Sequence, residues 1–153
     1  MKRSVYLFLT CLAFLMMSGC ERFPSVSSLV MTTPDAGNLT FSTHVFADDG
    51  NGLYDVIAFT GGKKVDDFVT LMFLFDKETG VGEEIILKNC NFGLSHSSNS
   101  EDYASGLTSG HIYLKDKSSD RLILQFKDAC FTTARGEYRL SGNLTLTAAP
   151  QTP

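Results

Sequence analysis

The sequence predicts an all-β domain, an antiparallel β-sandwich of about seven or eight strands, with a small β-barrel as the alternative. From Leu29 onward, β-branched and aromatic residues occur in short runs separated by clusters of Gly, Asp and Asn, as in all-β proteins. No stretch keeps the period of about 3.6 residues that marks an amphipathic helix. Of the 153 residues, 134 follow position 19, which is the size of a single domain with one core.

The first nineteen residues are predicted to form a signal helix outside this domain. Lys2 and Arg3 give a basic start, an apolar run covers 5–17, and the small residues Ser18 and Gly19 follow. A membrane-spanning helix needs about 20 apolar residues, so this run is too short to cross a bilayer. A buried core helix and an ordinary cleaved signal with a soluble product are the other interpretations.

The residues Met17-Ser18-Gly19-Cys20 resemble the lipobox of bacterial lipoprotein precursors. This resemblance implies a diacylglycerol thioether on Cys20, cleavage before that residue and acylation of the new N-terminus. The partner that it implies is a membrane. In enterobacterial lipoproteins an aspartate after the cysteine retains the product in the inner membrane, so Glu21 favours the outer membrane, facing the periplasm. Exposure at the cell surface remains an alternative.

The predicted organisation continues with a tether over 20–28, the β-domain over 29–149 and a tail over 150–153. The tether sequence after Cys20 contains Pro24 and three serines and has no periodicity, which is typical of a flexible linker. Without residues 1–19 the chain has 11 basic and 17 acidic residues, a formal charge of −6. Because nucleic-acid binding depends on neutralising phosphates, this composition argues against a nucleic-acid partner.

Seven strands follow from alternation and from turn residues. They are predicted at 39–45, 53–60, 68–75, 85–87, 111–115, 121–127 and 138–147. The strand at 68–75 is apolar on both faces, as a central strand would be. The last strand has the clearest period of two, with an apolar face made of Tyr138, Leu140, Gly142, Leu144 and Leu146.

The sequences SGHIYLKDKSSDRLILQFKDACF and GEYRLSGNLTLTA, which follow a serine-rich stretch, resemble small uncharacterised β-rich lipoproteins of Bacteroidetes-type bacteria. The resemblance lies in the pattern of strands. It implies a β-rich envelope protein and assigns no catalytic residue.

Two cysteines remain in the predicted domain once Cys11 leaves with the signal and Cys20 carries lipid. An oxidising compartment favours a disulfide between Cys90 and Cys130. Closing this loop of about 41 residues would stabilise the fold by roughly 4 kcal/mol. Two separate buried thiols are the alternative, and a metal site is disfavoured because neither residue has a CxxC partner.

The stretch 93–110 is the longest irregular segment, and long loops on rigid scaffolds often carry recognition. Tyr103 and Leu107 are the predicted contact residues. We therefore predict a membrane-anchored binding or assembly module for an envelope protein or surface ligand, without catalysis. A structural envelope protein is the alternative, and a hydrolase that uses the 93–110 loop is the second alternative.

Other candidate chemistry is weak, and no metal or cofactor is predicted. Ser95 and His96 lack the second glycine of the GxSxG motif, and His44, His96 and His111 have no zinc-binding spacing. Oxygen ligands for calcium could come from Asp48, Asp49, Asn51 and Asp55. Their loop departs from the EF-hand pattern, so solvated turn residues are the preferred interpretation.

Overall fold

The computed structural model describes residues 27–33, 38–60, 68–95 and 103–149, and 72% of this part of the chain is β-strand, with no helix in it. The signal segment, Cys20 and Glu21 lie outside the described residues. The nine strands are β1 (Val30–Thr32), β2 (Asn38–Asp48), β3 (Leu53–Thr60), β4 (Phe68–Asp76), β5 (Lys88–Ser95), β6 (Tyr103–Ala104), β7 (Ser109–Lys117), β8 (Arg121–Thr133) and β9 (Gly136–Ala148).

All nine strands belong to one hydrogen-bonded sheet in the order β6-β5-β4-β3-β2-β1-β9-β8-β7. The short strand β1 pairs antiparallel with both β2 and β9, and beyond it β2 and β9 pair directly and in parallel at Val45–Thr147 and Phe46–Ala148. We call the region where β1, β2 and β9 meet the seam.

The all-β prediction is confirmed, and the arrangement is a five-stranded closed barrel with additional strands. The predicted sandwich is corrected to the barrel alternative. Two stacked sheets would need two separate hydrogen-bonded layers, whereas the seam joins both halves of this molecule edge to edge.

The core lies inside the barrel and is built by alternation along the strands. In β4, which lies between β3 and β5, the residues Val69, Leu71, Phe73 and Phe75 are at most 1% exposed. The predicted apolar face of β9 is also buried at Tyr138, Leu140, Leu144 and Leu146. At the centre of the core, the rings of Phe92 and Phe131 stack with centroids 4.5 Å apart.

The strand predictions differ from the structure mainly in two places. The residues 85–87 were expected to form a strand, but β5 begins only at Lys88, and the segment before it forms one isolated bridge, Glu84 to Tyr113. The predicted 93–110 loop is shorter than expected because its ends belong to β5 and β7 and because β6 lies within it. Short strands such as β1 and β6 leave little periodicity in a sequence.

Ser27 and Ser28, which precede the predicted boundary at 29, already contact the domain. The backbone N–H of Ser28 donates to the carbonyl of Asn143 at 2.8 Å, and the hydroxyl of Ser27 accepts from the N–H of Thr145 at 2.9 Å. Gly142 permits this approach: its φ is +119°, and a Cβ there would lie 2.4 Å from the Ser28 carbonyl oxygen. The last two residues of the predicted tether are therefore part of the seam.

The predicted disulfide is absent, because Cys90 and Cys130 are both free and buried. Cys90 belongs to the barrel core, together with Phe92. On β8 the core residues are Ala129 and Phe131, so Cys130, which lies between them, points to the outside of the sheet. A disulfide requires Cβ atoms about 4 Å apart, which two side chains on opposite faces of a sheet cannot reach. The alternative of separate buried thiols describes the structure.

Both thiols should therefore be alkylated without prior reduction, but only after the domain unfolds. Burial raises the pKa of the Cys90 thiol to about 11, so at pH 8 it stays protonated and unreactive in the folded protein. In the unfolded chain the Cys90 thiol ionises near its ordinary pKa of 9.0. The protonated Cys90 thiol therefore contributes fully to the stability of the folded domain below that pH, and this stability is lost as the pH rises towards about 11. Peptide mapping after alkylation in urea, with and without reductant, measures this. If the two cysteines were alkylated only after reduction, they would form a disulfide, and the finding of free thiols would be wrong.

Candidate functional site

A cleft of about 350 Å³ opens on the surface between two segments that are distant in sequence. One segment, 84–87, precedes β5, and the other, 106–110, leads into β7. The lining residues are Glu84, Ile85, Ile86, Leu87, Gly106, Leu107, Thr108, Ser109 and Gly110.

The cleft lies where the backbone pairing between residues 82–85 and β7 ends. The chain after β4 pairs with β7 through Leu114 N–H to the Glu83 carbonyl at 3.0 Å and Ile85 N–H to the Ile112 carbonyl at 2.7 Å. The pairing of this segment with β7 ends at that second hydrogen bond. Beyond it the 84–87 segment turns into β5, so the two segments separate and leave space between them.

The other wall of the cleft is held by β8. The N–H of Thr108 donates to the carbonyl of Cys130 at 2.8 Å, and the hydroxyl of Thr108 accepts from the N–H of Thr132 at 3.2 Å. Gly110, with φ of +80°, lies directly against the backbone of Asp128. The two walls are therefore hydrogen-bonded to different strands, Ile85 to β7 and Thr108 to β8.

The lining of the cleft is mixed, with polar and apolar surface in comparable amounts. Ile85 is buried at its base, Ile86 is 67% exposed, and Leu107 packs partly against the core. At the rim, the imidazole Nδ1 of His111 lies 2.7 Å from a carboxylate oxygen of Glu84. Such a surface suits an apolar side chain that is flanked by backbone amide groups.

The two predicted contact residues separate in the structure. Leu107 lines the cleft, whereas Tyr103 lies on β6 with 61% of its surface exposed and is not a lining residue. The side chain of Ser95 and the whole of His96 lie outside the described part of the chain. The hydrolase alternative, which depends on the 93–110 loop, therefore stays a prediction.

The remaining histidines and acidic residues do not converge. His44 Nε2 lies 3.4 Å from the Ser27 hydroxyl at the seam, and His111 is at the cleft rim. Within the ranges that the structure describes, no three His, Cys, Asp or Glu residues are placed to hold a metal ion.

In the acidic turn that was considered for calcium, the carboxylates accept hydrogen bonds from backbone N–H groups of the same turn. Asp49 accepts from the N–H groups of Asn51 at 2.7 Å and Leu53 at 2.9 Å, and Asp48 accepts from Gly50 N–H at 2.9 Å. Asp48 also pairs with Lys77, and this hydrogen bond, with that from Gly50, lowers the pKa of the Asp48 carboxyl. The carboxylates thus close the β2–β3 hairpin. Asp55, the fourth residue considered for calcium, lies within β3.

Sequence reasoning missed Ile86, the most exposed large apolar side chain of the described residues. A usable signal was present. Three consecutive apolar residues, Ile85-Ile86-Leu87, cannot all face the core of a one-sided sheet, so at least one must face solvent or a neighbour.

Comparisons with known proteins do not assign the chain to a family, so its class is defined by the fold and the cleft. The chain matches no protein-family model, and neither the curated proteins nor the solved structures provide a significant match. The described part of the chain also contains no helix with the length and hydrophobicity that a membrane crossing requires. The class that the structure defines is a small all-β barrel with an open surface cleft.

Proposed function

We propose that the mature protein is a lipid-anchored binding or assembly module of the bacterial envelope and that the cleft holds a segment of a partner protein. The cleft carries the binding role. The sequence around Cys20 supports the lipid anchor, and Glu21 supports an outer-membrane location facing the periplasm. A structural envelope protein without a specific ligand is the competing function.

The ligand that fits this cleft is an extended peptide with an apolar side chain. Ile86 and Leu107 supply apolar contact on both walls, and the volume, about 350 Å³, suits one or two large side chains. The pairing between 82–85 and β7 ends at the edge of the cleft, so a peptide strand could continue it by β-augmentation. In that mode the main chain supplies affinity, and pockets for alternate side chains supply specificity.

The matched variants Ile86→Asp and Val81→Asp test the cleft. Both replace a largely exposed aliphatic residue, at 67% and 61% exposure, but only Ile86 lines the cleft. A photo-crosslinker at position 107 in cells would identify the contacting segment of the partner. A synthetic peptide of that segment should bind the wild type and Val81→Asp equally and bind Ile86→Asp at least about tenfold more weakly, a loss of about 1.4 kcal/mol.

Thermal unfolding of the two variants controls for the fold. Equal melting temperatures with lost binding only in Ile86→Asp support the module. Equal binding by all three proteins, or no crosslink at position 107, would favour the structural role.

The anchor is tested separately, by the mass of the N-terminal peptide from the membrane fraction. We expect a mature terminus at Cys20 with added acyl mass and, for Cys20→Ala, loss of both processing and membrane association. A soluble product that Cys20→Ala leaves unchanged would contradict the anchor without affecting the cleft.

A further inference from the structure

The outside of the sheet over β2 to β6 carries an apolar surface that the cleft does not use. The strand register aligns Val45, Ile57 and Met72 in one row across β2, β3 and β4. A second row runs from Phe59 through Thr70 and Gly93 to Tyr103. We call the side chains of Val45, Ile57, Phe59, Met72 and Tyr103 the outer apolar face.

These side chains point away from the core. The neighbouring row made by Ala58, Leu71, Phe92 and Ala104 is buried, so the rows beside it face outward by strand alternation. Phe59, Met72 and Tyr103 are 37%, 38% and 61% exposed. They are three of the six large apolar side chains exposed in the described part of the chain.

The outer apolar face is also uncharged, on a domain whose formal charge is −6 after residues 1–19 are removed. Neither of its two rows includes an Asp, Glu, Lys or Arg residue. On one side of the face, charged residues begin one row further, where Asp55 and Lys88 flank Leu74. On the other side, the segments 61–67 and 96–102, which adjoin the second row in sequence and contain charged residues, lie outside the described part of the chain. An uncharged surface that exposes Phe, Met and Tyr suits the interfacial region of a bilayer, where aromatic rings lie at the level of the headgroups.

The position of the N-terminus brings this face within reach of a membrane. The hydroxyl of Ser27 lies 3.4 Å from Nε2 of His44, which belongs to the inward-facing row with Ala58, and the next residue on β2, Val45, begins the outer apolar face on the other side of the sheet. Neighbouring strands are about 4.8 Å apart, so Met72, two strands from Val45, is about 10 Å from it. Six residues lie between Cys20 and Ser27, so the two are seven Cα–Cα steps apart and at most about 25 Å from each other. The lipid would therefore hold the bilayer close to the face at high effective concentration.

We propose that the outer apolar face rests on the surface of the bilayer into which the N-terminal lipid inserts. This inference rests on the lipid anchor of the proposed function. Burial of Phe59, Met72 and Tyr103 against lipid provides the attraction, and the anchor removes most of the entropic cost of association. Because the face is uncharged, the contact needs no anionic lipid and resists salt, unlike the contact of a basic patch.

The absence of tryptophan from the sequence makes a direct test practical. The acylated protein is reconstituted into phosphatidylcholine vesicles with one introduced tryptophan, as Phe59→Trp, Tyr103→Trp or the control Gln125→Trp. Gln125 lies on the outer surface of β8 between Tyr113 of β7 and Asn143 of β9, away from β3 to β6. Brominated phosphatidylcholine quenches tryptophan only on contact with the lipid.

We expect tryptophan at 59 and 103 to be quenched severalfold more than tryptophan at 125, with no change between low and high salt. Met72→Glu in the Tyr103→Trp protein should abolish this excess quenching while the protein still floats with the vesicles. The corresponding change Gln125→Glu should leave it intact. All of these positions are at least partly exposed, so the substitutions should preserve the fold.

Two results would overturn the proposal in different ways. Equal weak quenching at all three positions in proteins that float would show that the anchor is present and that the face does not touch lipid. Quenching at 59 and 103 that rises on dilution in lipid would instead identify a second copy of the chain as the occupant. If none of the acylated proteins floats, the anchor itself fails, and the inference fails with it.

Discussion

Phe92→Ala should lower the free energy of unfolding by roughly 3–5 kcal/mol, the usual loss when a buried phenylalanine is truncated to alanine. Phe92 is fully buried, stacks on Phe131 with an interplanar angle of 11°, and lies 5.2 Å from the ring of Tyr138. These three rings join β5, β8 and β9 across the barrel, so the cavity would affect both halves of the sheet. The midpoint of urea unfolding, followed by circular dichroism, measures the loss.

Phe59→Ala is the matched control, because the same atoms are removed from a side chain that is 37% exposed on the outer apolar face. Its loss should be less than half of that for Phe92→Ala. Equal midpoints for the two variants would contradict the central position of Phe92 in the core.

Gly110→Ala should destabilise the domain by roughly 3 kcal/mol or more, which would lower its melting temperature by about 10 °C. The φ of Gly110 is +80°, and a Cβ there would lie 2.1 Å from the carbonyl oxygen of Asp128 and 2.7 Å from the Cα of Ala129. Both are backbone atoms of a β8 bulge in which Asp128 itself has a φ of +49°. No rotamer change relieves such a clash, so β7 and β8 must move apart.

Two further glycines separate the causes of that loss. Gly52 has a φ of +90°, but a Cβ added there would meet no atom within 4 Å, so Gly52→Ala reports the backbone strain alone, about 1 kcal/mol. Gly106 has open space around it and no positive φ, so Gly106→Ala should change stability by less than about 0.5 kcal/mol. If Gly110→Ala cost no more than Gly52→Ala, the close approach of β7 to β8 would be wrong.

Local pattern was sufficient to predict most strands of this fold. The bounds of β3 are those predicted, and the alternation of β9 identified four buried residues, because a strand with one wet face repeats every second residue. The closure into a barrel was not predictable in this way. It depends on β1, which has three residues, and on the pairing of β2 with β9, whose partners are about a hundred positions apart.

The candidate site was predicted only in part for the same reason. Leu107 was identified within a long serine-rich segment, but its opposite wall, Ile86, comes from another part of the sequence and meets it only through the fold. The disulfide prediction failed because a bulge in each strand decides which face a cysteine occupies. Register shifts near Cys90 and Cys130 are properties of strand pairing and have no clear signal in one sequence.

The pairing of β1 with β9 has a consequence for how the chain folds. Ser27 and Thr145, which are 118 positions apart, hydrogen-bond to each other, so the first described strand has no partner on its β9 side until the last strand has been made. Contacts between such distant segments slow folding, because the intervening chain must first be ordered. Without β9 the other strands can form only an open sheet, in which β1 has a free edge and Met31 lacks its partner Leu140. The thirteen residues of β9 close the sheet, and the core is complete only when they have been added.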